Sequence, residues 1–252
     1  MGENEKGARG DIDLSAVGAL LADPSRCRML FALDDGRQLA AGHLADEAGV
    51  TPSTASTHLH KLVAAGLVTG EQHGRHRYYR LAGLAVARLL ESITAVAPRR
   101  PVRSLRDGTR AQRLRLARSC YDHLAGRLGV AVMGSLLAEG HLTGHDGTID
   151  PDRLSGALSG GGDDTNYTVT AGGERFFADL GITNPGRLTV RCCIDWSEQR
   201  HHLSGQLGRA VFRRFLNGGW IRRGRADRTI SVTDGGVREL RERFGVDFAA
   251  LR

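Results

Sequence analysis

The sequence predicts a mainly α-helical fold with small β-wings, divided into two domains, and three observations lead to that fold class. Residues 38–81 contain a short helix, a tight turn, a longer helix and a basic β-hairpin in direct succession. A Pro-Arg-Arg-Pro sequence at 98–101 then interrupts the chain, because proline ends helices and disfavours helix at the preceding residue. Residues 119–252 contain one sequence phrase twice. We therefore predict a first domain at 8–97, an Arg-rich linker at 98–118 and a second domain at 119–252.

Helices are expected on both sides of the central motif. Residues 13–22 are amphipathic, and Asp23-Pro24 supply an N-cap and a first-turn proline for a helix that runs to Asp35. After the hairpin, apolar residues at helical spacing predict another helix between Leu84 and Val96.

The central motif is a pair of helices joined by a tight turn. The first helix ends at Gly49, and the second begins with Thr51 as N-cap and Pro52 at the first helical position. Apolar residues of the second helix share one face at period 3.6. The rest of its surface carries small polar side chains, one imidazole and one cation: Ser53, Thr54, Ser56, Thr57, His60 and Lys61. Such a face suits the DNA major groove, where short hydroxyls allow close approach and longer side chains reach bases or phosphates.

The hairpin that follows is expected to form a wing. His73-Gly74-Arg75 marks its tip, and residues 77–81 alternate in polarity as a return strand. Arg75 and Arg77 would then meet the phosphate backbone or the minor groove. The alternative is a solvated helix pair beside a surface hairpin. The order of caps, glycine, polar face and basic tip favours a winged helix-turn-helix that binds DNA.

Three segments of this region resemble the ArsR (SmtB) family of bacterial winged-helix repressors: LADPSRCRMLFALDDG, HLADEAGVTPSTASTHLHKLVAAGLV and GRHRYYRL. The resemblance covers residues 12–97. It implies a homodimer that releases its operator when an inducer binds, with the six polar residues of the second helix and Arg75 and Arg77 as DNA contacts. It also implies that the first and last helices pair across the dimer, although an intramolecular core would explain their apolar stripes equally well.

The sequence departs from the well-known metal sensors of that family. Those proteins carry a Cys-x-Cys pair in the helix before the turn, or a His/Asp set in the last helix. Residues 43–47 read His-Leu-Ala-Asp-Glu, and residues 84–96 contain neither histidine nor aspartate. The family's usual inducer class is therefore not carried over.

Charge and composition suit a polyanionic partner. The net charge is +7, and residues 99–118, with eight arginines and one aspartate, account for the same +7. This stretch is either a solvated helix face or linker, or an additional phosphate contact. The first residues are polar, so we expect no leader peptide, and we expect no membrane span because no run approaches roughly 20 apolar residues. We expect a cytoplasmic bacterial protein whose four cysteines form no structural disulfides.

The second domain contains a weak internal duplication. The phrase that begins with Cys120 and continues to a Leu-Ala-Gly is echoed by one that begins with Cys193 and continues to a Leu-Ser-Gly. Each copy leads into an apolar helix, a strand and another helix start. The second domain is therefore predicted to be α+β and to consist of two winged-helix-like repeats. Neither repeat has a polar recognition helix, so neither is expected to read DNA.

Three interpretations of the polar residues in this domain remain open. Thiolate and imidazole are the ligands that zinc prefers, so Cys120, His123, Cys193 and His202 are candidate metal ligands or the groups of a thiol-reactive sensor, although their spacing matches no known metal motif. Alternatively, Asp122, Asp195 and Trp196 line a pocket for an organic effector. The third interpretation is purely structural. No resident cofactor is predicted.

The predicted function is sequence-specific repression by a homodimer on double-stranded operator DNA, released by a small-molecule or metal inducer that the second domain senses. The alternative is a constitutive, weakly specific architectural DNA-binding protein whose second domain docks other proteins. The sequence lacks a glycine-rich phosphate loop, a G-x-S-x-G elbow and an H-E-x-x-H motif, so no enzyme is expected.

Overall fold

A computed structural model describes residues 12–74, 76–97, 105–148, 167–224 and 227–252. The chain divides into two units. The first contains the residues up to Phe31 together with Gln38–Ala82, and the second contains Ala32–Arg37 and Gly83–Arg252. In the described ranges, no helix is both long and apolar enough to cross a membrane.

The first unit is a winged helix-turn-helix, as predicted. Its strands form one antiparallel sheet in the order β1-β3-β2, in which Tyr79 of β3 lies between Leu39 and Gly70. Its elements are α1 (Leu14–Leu21), α2 (Pro24–Leu33, whose last two residues belong to the second unit), β1 (Leu39–Ala40), α3 (Ala41–Ala48), α4 (Pro52–Ala64), β2 (Val68–His73) and β3 (His76–Leu81).

The turn between α3 and α4 follows from its local chemistry. Gly49 ends α3 with a φ of 66°, a left-handed conformation that glycine adopts without a steric penalty. The Thr51 hydroxyl accepts a hydrogen bond from the Thr54 backbone N–H, and Pro52 occupies the first turn of α4. Ala55 and Leu59 of α4 are completely buried, so the opposite face of this helix is turned to solvent.

The second unit repeats one order of elements twice: hairpin, helix, strand pair, helix. Each of its four strand pairs in the described residues is antiparallel: β4-β5, β6-β7, β8-β9 and β10-β11. The elements are α5 (Leu84–Val96), α6 (Leu105–Leu116), β4 (Arg118–Cys120), β5 (His123–Ala125), α7 (Gly126–Ala138), β6 (Leu142–Thr143), β7 (Thr168–Val169), α8 (Ala171–Asp179), a 3-10 turn (Pro185–Arg187), β8 (Val190–Ile194), β9 (His201–Ser204), α9 (Gly205–Asn217), β10 (Ile221–Arg223), β11 (Ile230–Val232) and α10 (Asp234–Phe244).

Corresponding positions in the two series meet the same local constraints. Gly126 and Gly205 begin α7 and α9 with φ values of +79° and +73°. One turn later, a Cβ on Gly129 would lie 2.6 Å from the Leu124 carbonyl oxygen, and a Cβ on Gly208 would lie 2.6 Å from that of Leu203. Each leucine is the last residue but one of the preceding hairpin strand. Each helix therefore packs so closely on its own hairpin that only glycine fits at this position.

The core of the second unit is shared by both series. Apolar side chains of α7 and α9 pack with residues of α8 and α10 into one buried cluster. Its largest members include Leu128, Met133, Leu136, Phe177, Leu207, Phe212, Phe215, Trp220, Leu240 and Phe244.

Residues 32–37 and α5 join the second unit through buried ionic groups. The Arg228 guanidinium pairs with Asp34, which is fully buried, and lies 3.5 Å from Glu91 of α5. Arg37 donates hydrogen bonds to the carbonyl oxygens of Gly224 and Asp227, at 2.8 and 2.9 Å. This grouping divides the chain differently from the sequence prediction, which placed residues 8–97 in the first domain.

Candidate nucleic-acid interface and candidate metal centre

The polar residues predicted to read DNA lie together on the exposed face of α4. One shallow surface depression is lined by five of them: Ser53, Ser56, Thr57, His60 and Lys61. Thr54 is also exposed, but its hydroxyl lies 2.9 Å from that of Thr51 and so takes part in the N-terminal cap. The Thr57 hydroxyl donates to the Ser53 carbonyl oxygen at 3.3 Å. The helix therefore presents short hydroxyl groups near its start and an imidazole and an ammonium group further along.

The wing is the hairpin β2-β3. Arg77 is exposed on β3, and its guanidinium carbon lies 5.7 Å from the centre of the Tyr79 ring. Arg80 is held by Glu71 at 3.1 Å, so that cation is partly neutralised. Arg75, the other predicted wing contact, lies outside the described residues.

The Arg-rich stretch forms a helix where the structure describes it. Residues 105–116 are α6, and Arg110 lies 3.9 Å from the Asp227 carboxylate. Arg118, the last arginine of the stretch, is fully buried. Arg99, Arg100 and Arg103 lie outside the described residues.

Four thiol and imidazole groups meet in the second unit. Cys120 and His123 are directly opposed across β4-β5, and Cys193 and His202 are directly opposed across β8-β9. Their potential ligand atoms all lie within 4.8 Å of one another. The two Nε2 atoms are 3.2 Å apart. We call these four residues the Cys2His2 cluster.

The outer ring nitrogens of both histidines face carboxylates. The Nδ1 of His123 is 3.2 Å from an oxygen of Asp122, and the Nδ1 of His202 is 3.6 Å from an oxygen of Asp195. Each carboxylate lies two residues after the cluster cysteine of its own series. Both imidazoles therefore have an acidic partner on one side and the other cluster members on the opposite side.

Asp195 is also a structural centre. One of its oxygens accepts a hydrogen bond from the Gly126 N–H at 2.6 Å and lies 3.0 Å from Arg118. Its other oxygen accepts from the Ser197 hydroxyl at 2.8 Å. Burial raises the pKa of Asp195, but the positive charges of Arg118 and His202 lower it by more. The net pKa of Asp195 is below its ordinary value, so the carboxyl group is ionised. Sequence analysis missed Arg118, because an arginine at the end of a basic stretch gives no signal of burial.

Thiol and imidazole ionisation are linked in the cluster. A hydrogen bond with Cys120 and the charge of His123 lower the pKa of the Cys193 thiol, whereas the same hydrogen bond and burial raise the pKa of Cys120. Burial opposes protonation of His123, but the Cys193 thiolate and Asp122 raise its pKa to about 9. The pKa of each group therefore depends on the charge of the other.

A cleft of about 700 Å³ lies between α5 and the two hairpins. Cys120, His123 and Cys193 line it, together with Asp122, which pairs with Arg209. Among the described residues, Asp195 and Trp196 are not part of the lining. The Trp196 ring lies 4.4 Å from the Arg118 guanidinium carbon. Of the three residues predicted for an effector pocket, the structure brings only Asp122 to this cleft.

Comparison with known proteins identifies relatives of the chain. Residues 21–71 match a helix-turn-helix domain family. Over 229 residues, 89% of this chain and 93% of the relative, the chain is 41% identical to the uncharacterized HTH-type transcriptional regulator YdfF of Bacillus subtilis. It is 43% identical over 83 residues to the HTH-type transcriptional regulator CmtR of Mycobacterium tuberculosis, covering 33% of this chain and 70% of that relative.

Among solved structures, the homodimeric winged helix-turn-helix domain of Mb0332 from Mycobacterium bovis, described as a possible ArsR-family regulator, is 34% identical. The match covers 34% of this chain and 87% of that domain, with a TM-score of 0.31.

These relatives are DNA-binding transcriptional regulators, a class of proteins that act without catalysis. Within that class, the chain belongs to the ArsR family of winged-helix regulators.

Proposed function

We propose that the protein is a sequence-specific repressor that binds operator DNA as a homodimer and leaves it when the second unit senses a signal. The observation that carries this proposal is the exposed polar face of α4, flanked by the basic wing. A helix with short hydroxyl groups at its N-terminal end can approach base edges closely, while His60 and Lys61 reach further. The six polar residues of α4 are the proposed base and phosphate contacts. Arg77 is the proposed backbone anchor, together with Arg75, which is outside the described residues.

Exposed apolar side chains support a homodimer. Ile12 and Leu14, at the start of the first unit, are 84% and 76% exposed. Leu84, Leu89 and Ile93 of α5 are also exposed. Such residues gain free energy when a second copy removes them from water. In a two-fold dimer, recognition helices read half-sites about one helical turn, roughly 34–36 Å, apart.

The chain provides covalent routes by which a signal in the second unit can act on the first. Helix α2 contributes its last two residues to the second unit, and the following segment is held there by the Asp34–Arg228 pair. A change in the second unit would thus alter the constraint on α2. A coupling of about 1–3 kcal/mol is sufficient for 5- to 150-fold release from DNA.

The second unit is proposed to be a pair of winged-helix-like repeats that do not read DNA. The matched glycines of α7 and α9 support the proposal that the unit consists of two repeats. The N-caps of α8 and α10 support it as well, because Thr170 and Thr233 each accept a hydrogen bond from a glycine N–H three residues later. Helix α7 is predominantly apolar, and five of its residues between Leu128 and Leu136 are buried. Its role is therefore packing.

Fluorescence anisotropy tests the repressor proposal. The purified chain is titrated onto the DNA upstream of its own gene and onto random DNA of equal length, at physiological salt. Preference for the upstream DNA by about 10³-fold or more is expected of a specific regulator. Equal affinity for both DNAs, with a steep dependence on salt, would instead identify a constitutive architectural protein.

A further inference from the structure

We infer that Cys120, His123, Cys193 and His202 form a binding site for one zinc-class divalent cation in the second unit. This inference goes beyond the proposed function, because it concerns metal chemistry and its test requires no DNA. The four groups come from two hairpins that lie far apart in the sequence and meet only in the folded unit.

The strand register places the donors on one side of each hairpin. Residues directly opposed on antiparallel strands point to the same face of the sheet. Each cysteine therefore projects with its paired histidine toward the other hairpin. Cys192, the neighbour of Cys193 on β8, points to the opposite face and is buried in the apolar core. Each hairpin thus contributes one sulfur and one nitrogen.

The distances fit one tetrahedral ion. With Zn–N and Zn–S bonds of about 2.0–2.3 Å, tetrahedral ligand atoms lie roughly 3.3–3.8 Å from one another. The two Nε2 atoms are 3.2 Å apart, and every donor is within 4.8 Å of the others. Small side-chain adjustments therefore bring all four atoms into the coordination sphere of one ion.

The carboxylates prepare both imidazoles for metal binding. The Nδ1 of His123 is within hydrogen-bond distance of Asp122, and the Nδ1 of His202 lies 3.6 Å from Asp195, so each carboxylate favours a proton on Nδ1 and leaves Nε2 to bind a cation. The two Nε2 atoms are 3.2 Å apart, a distance at which they share a proton, and a cation that replaces this proton would be bound by both nitrogens. His202 is completely buried, and its Nδ1 lacks a hydrogen-bond partner of good geometry among the described residues.

The donor set selects the class of metal and balances its charge. Two thiolates and two imidazoles favour borderline-soft ions such as Zn²⁺, Co²⁺ and Cd²⁺ over Mg²⁺ or Ca²⁺, which require oxygen ligands. Two thiolates also neutralise a divalent ion, which a buried site requires. Cys120, His123 and Cys193 line the cleft, so an ion can reach the site from there. Four protein ligands make it a closed site that cross-links the two hairpins.

Cobalt titration of the full-length, reduced and chelator-treated protein tests the inference. The expected result is one Co²⁺ per chain, with the intense visible absorption of tetrahedral Co²⁺ and a near-ultraviolet thiolate-to-metal band, both lost when Zn²⁺ displaces it. Mg²⁺ should produce neither a spectrum nor thermal stabilisation. Absence of these bands with excess Co²⁺, or equal stabilisation by Mg²⁺, would overturn the inference.

Matched variants assign the ligands. Cys120→Ser and His202→Asn should each remove the tetrahedral spectrum, whereas Cys27→Ser in the first unit and Cys192→Ala in the core should keep it. Asp122→Asn should weaken Zn²⁺ binding by roughly 10- to 100-fold, as loss of a histidine's carboxylate partner does in other zinc sites. Unchanged spectra in both ligand variants would refute the assignment.

If a ligand variant does not fold, cysteine alkylation of the unmodified protein tests the same assignment of ligands. Zn²⁺ should protect Cys120 and Cys193 from a thiol-alkylating reagent, as read by peptide mass spectrometry, and should leave the rate at Cys27 unchanged. Equal rates at Cys120 and Cys193 with and without Zn²⁺ would contradict the inference.

Discussion

Arg118 and Asp195 are opposite charges that are both fully buried in the second unit, at 3.0 Å from each other. A buried ion pair adds little net stability compared with apolar residues, but the loss of one partner leaves the other charge uncompensated. Arg118 is the first residue of β4, in the first series of elements, and Asp195 directly follows β8, in the second. The ion pair therefore connects the two series.

Arg118→Met is expected to lower the free energy of unfolding by about 3–5 kcal/mol in chelator-treated protein, because Asp195 then remains ionised without its cation. Urea denaturation measures the change. Adding Asp195→Asn should recover part of the loss. The control is Arg243→Met, which breaks an exposed pair with Glu239 and should cost about 0.5 kcal/mol or less. An Arg118→Met cost as small as the control's would contradict this account of the ion pair.

Substitutions on α4 and on the wing should have different effects on DNA binding: the first should change sequence preference, and the second should change overall affinity. Thr57→Ala combined with His60→Ala should reduce the preference for specific over random DNA, at about 1–3 kcal/mol per lost base contact. Arg77→Ala should weaken binding to both DNAs alike and reduce the log–log salt slope by about 1. Anisotropy titrations at several salt concentrations measure both.

Arg238→Ala, which removes an exposed charge from α10, is the matched control for Arg77→Ala. If the α4 double variant and Arg77→Ala changed specificity to the same extent, the assignment of reading and anchoring roles would be wrong.

Helices α7 and α9 depend on close backbone contact with the hairpins that precede them. A Cβ on Gly129 would also lie 3.5 Å from the Cβ of His202, and a Cβ on Gly208 would lie 3.5 Å from that of His123. Each helix therefore touches the opposite series at a histidine of the Cys2His2 cluster. The position of both helices and the position of the cluster are mechanically linked.

Gly129→Ala and Gly208→Ala should each destabilise the fold by about 1–3 kcal/mol, because the added methyl group forces the helix away from its hairpin. Thermal denaturation checks this. Gly134→Ala is the control on α7 itself: nothing lies within 4 Å of the added Cβ, so it should be neutral or stabilising by up to about 1 kcal/mol. Equal effects at Gly129 and Gly134 would show that the close contact has no energetic role.

The assembled protein carries two separate specialisations. The first unit presents a polar helix and a wing suited to DNA, and the second contains a cluster of thiols and imidazoles on buried hairpins. Apolar side chains of α5 remain exposed to solvent, as expected of a surface that a second copy of the chain covers in the proposed homodimer.

Leu89→Glu combined with Ile93→Glu should shift the proposed dimer toward monomer and weaken operator binding, because burying two carboxylates in an apolar interface is costly. Sedimentation equilibrium measures the association constant. Arg238→Glu, which alters the charge of α10, should leave the association unchanged. A dimer constant in the double variant equal to that of the unmodified chain would exclude α5 from the interface.

Local sequence signals were sufficient for the winged helix-turn-helix. Gly49, Thr51 and Pro52 each act through contacts with residues a few positions away, and the period of buried residues on α4 depends on that helix alone. Such short-range rules can be read directly from the chain. They also located the exposed polar face, since it lies opposite the apolar one.

The sequence also identified the four thiol and imidazole residues as a candidate metal set, from the repeated phrase, but no local pattern gave the distance between them. His123 and His202 are 79 positions apart, and their distance follows from the packing of two hairpins around a shared core. Metal binding at this cluster stays a prediction until it is measured.

Helix type, turn chemistry and the composition of the exposed polar face of α4 are thus properties of the amino-acid order, because they arise from interactions within one or two helical turns. The grouping of α5 with the second unit, the burial of Arg118 and the closeness of the two histidines came only from the tertiary structure. These features depend on long-range packing, in which a charged or polar side chain is buried whenever a distant partner compensates it, and no local pattern records that partner.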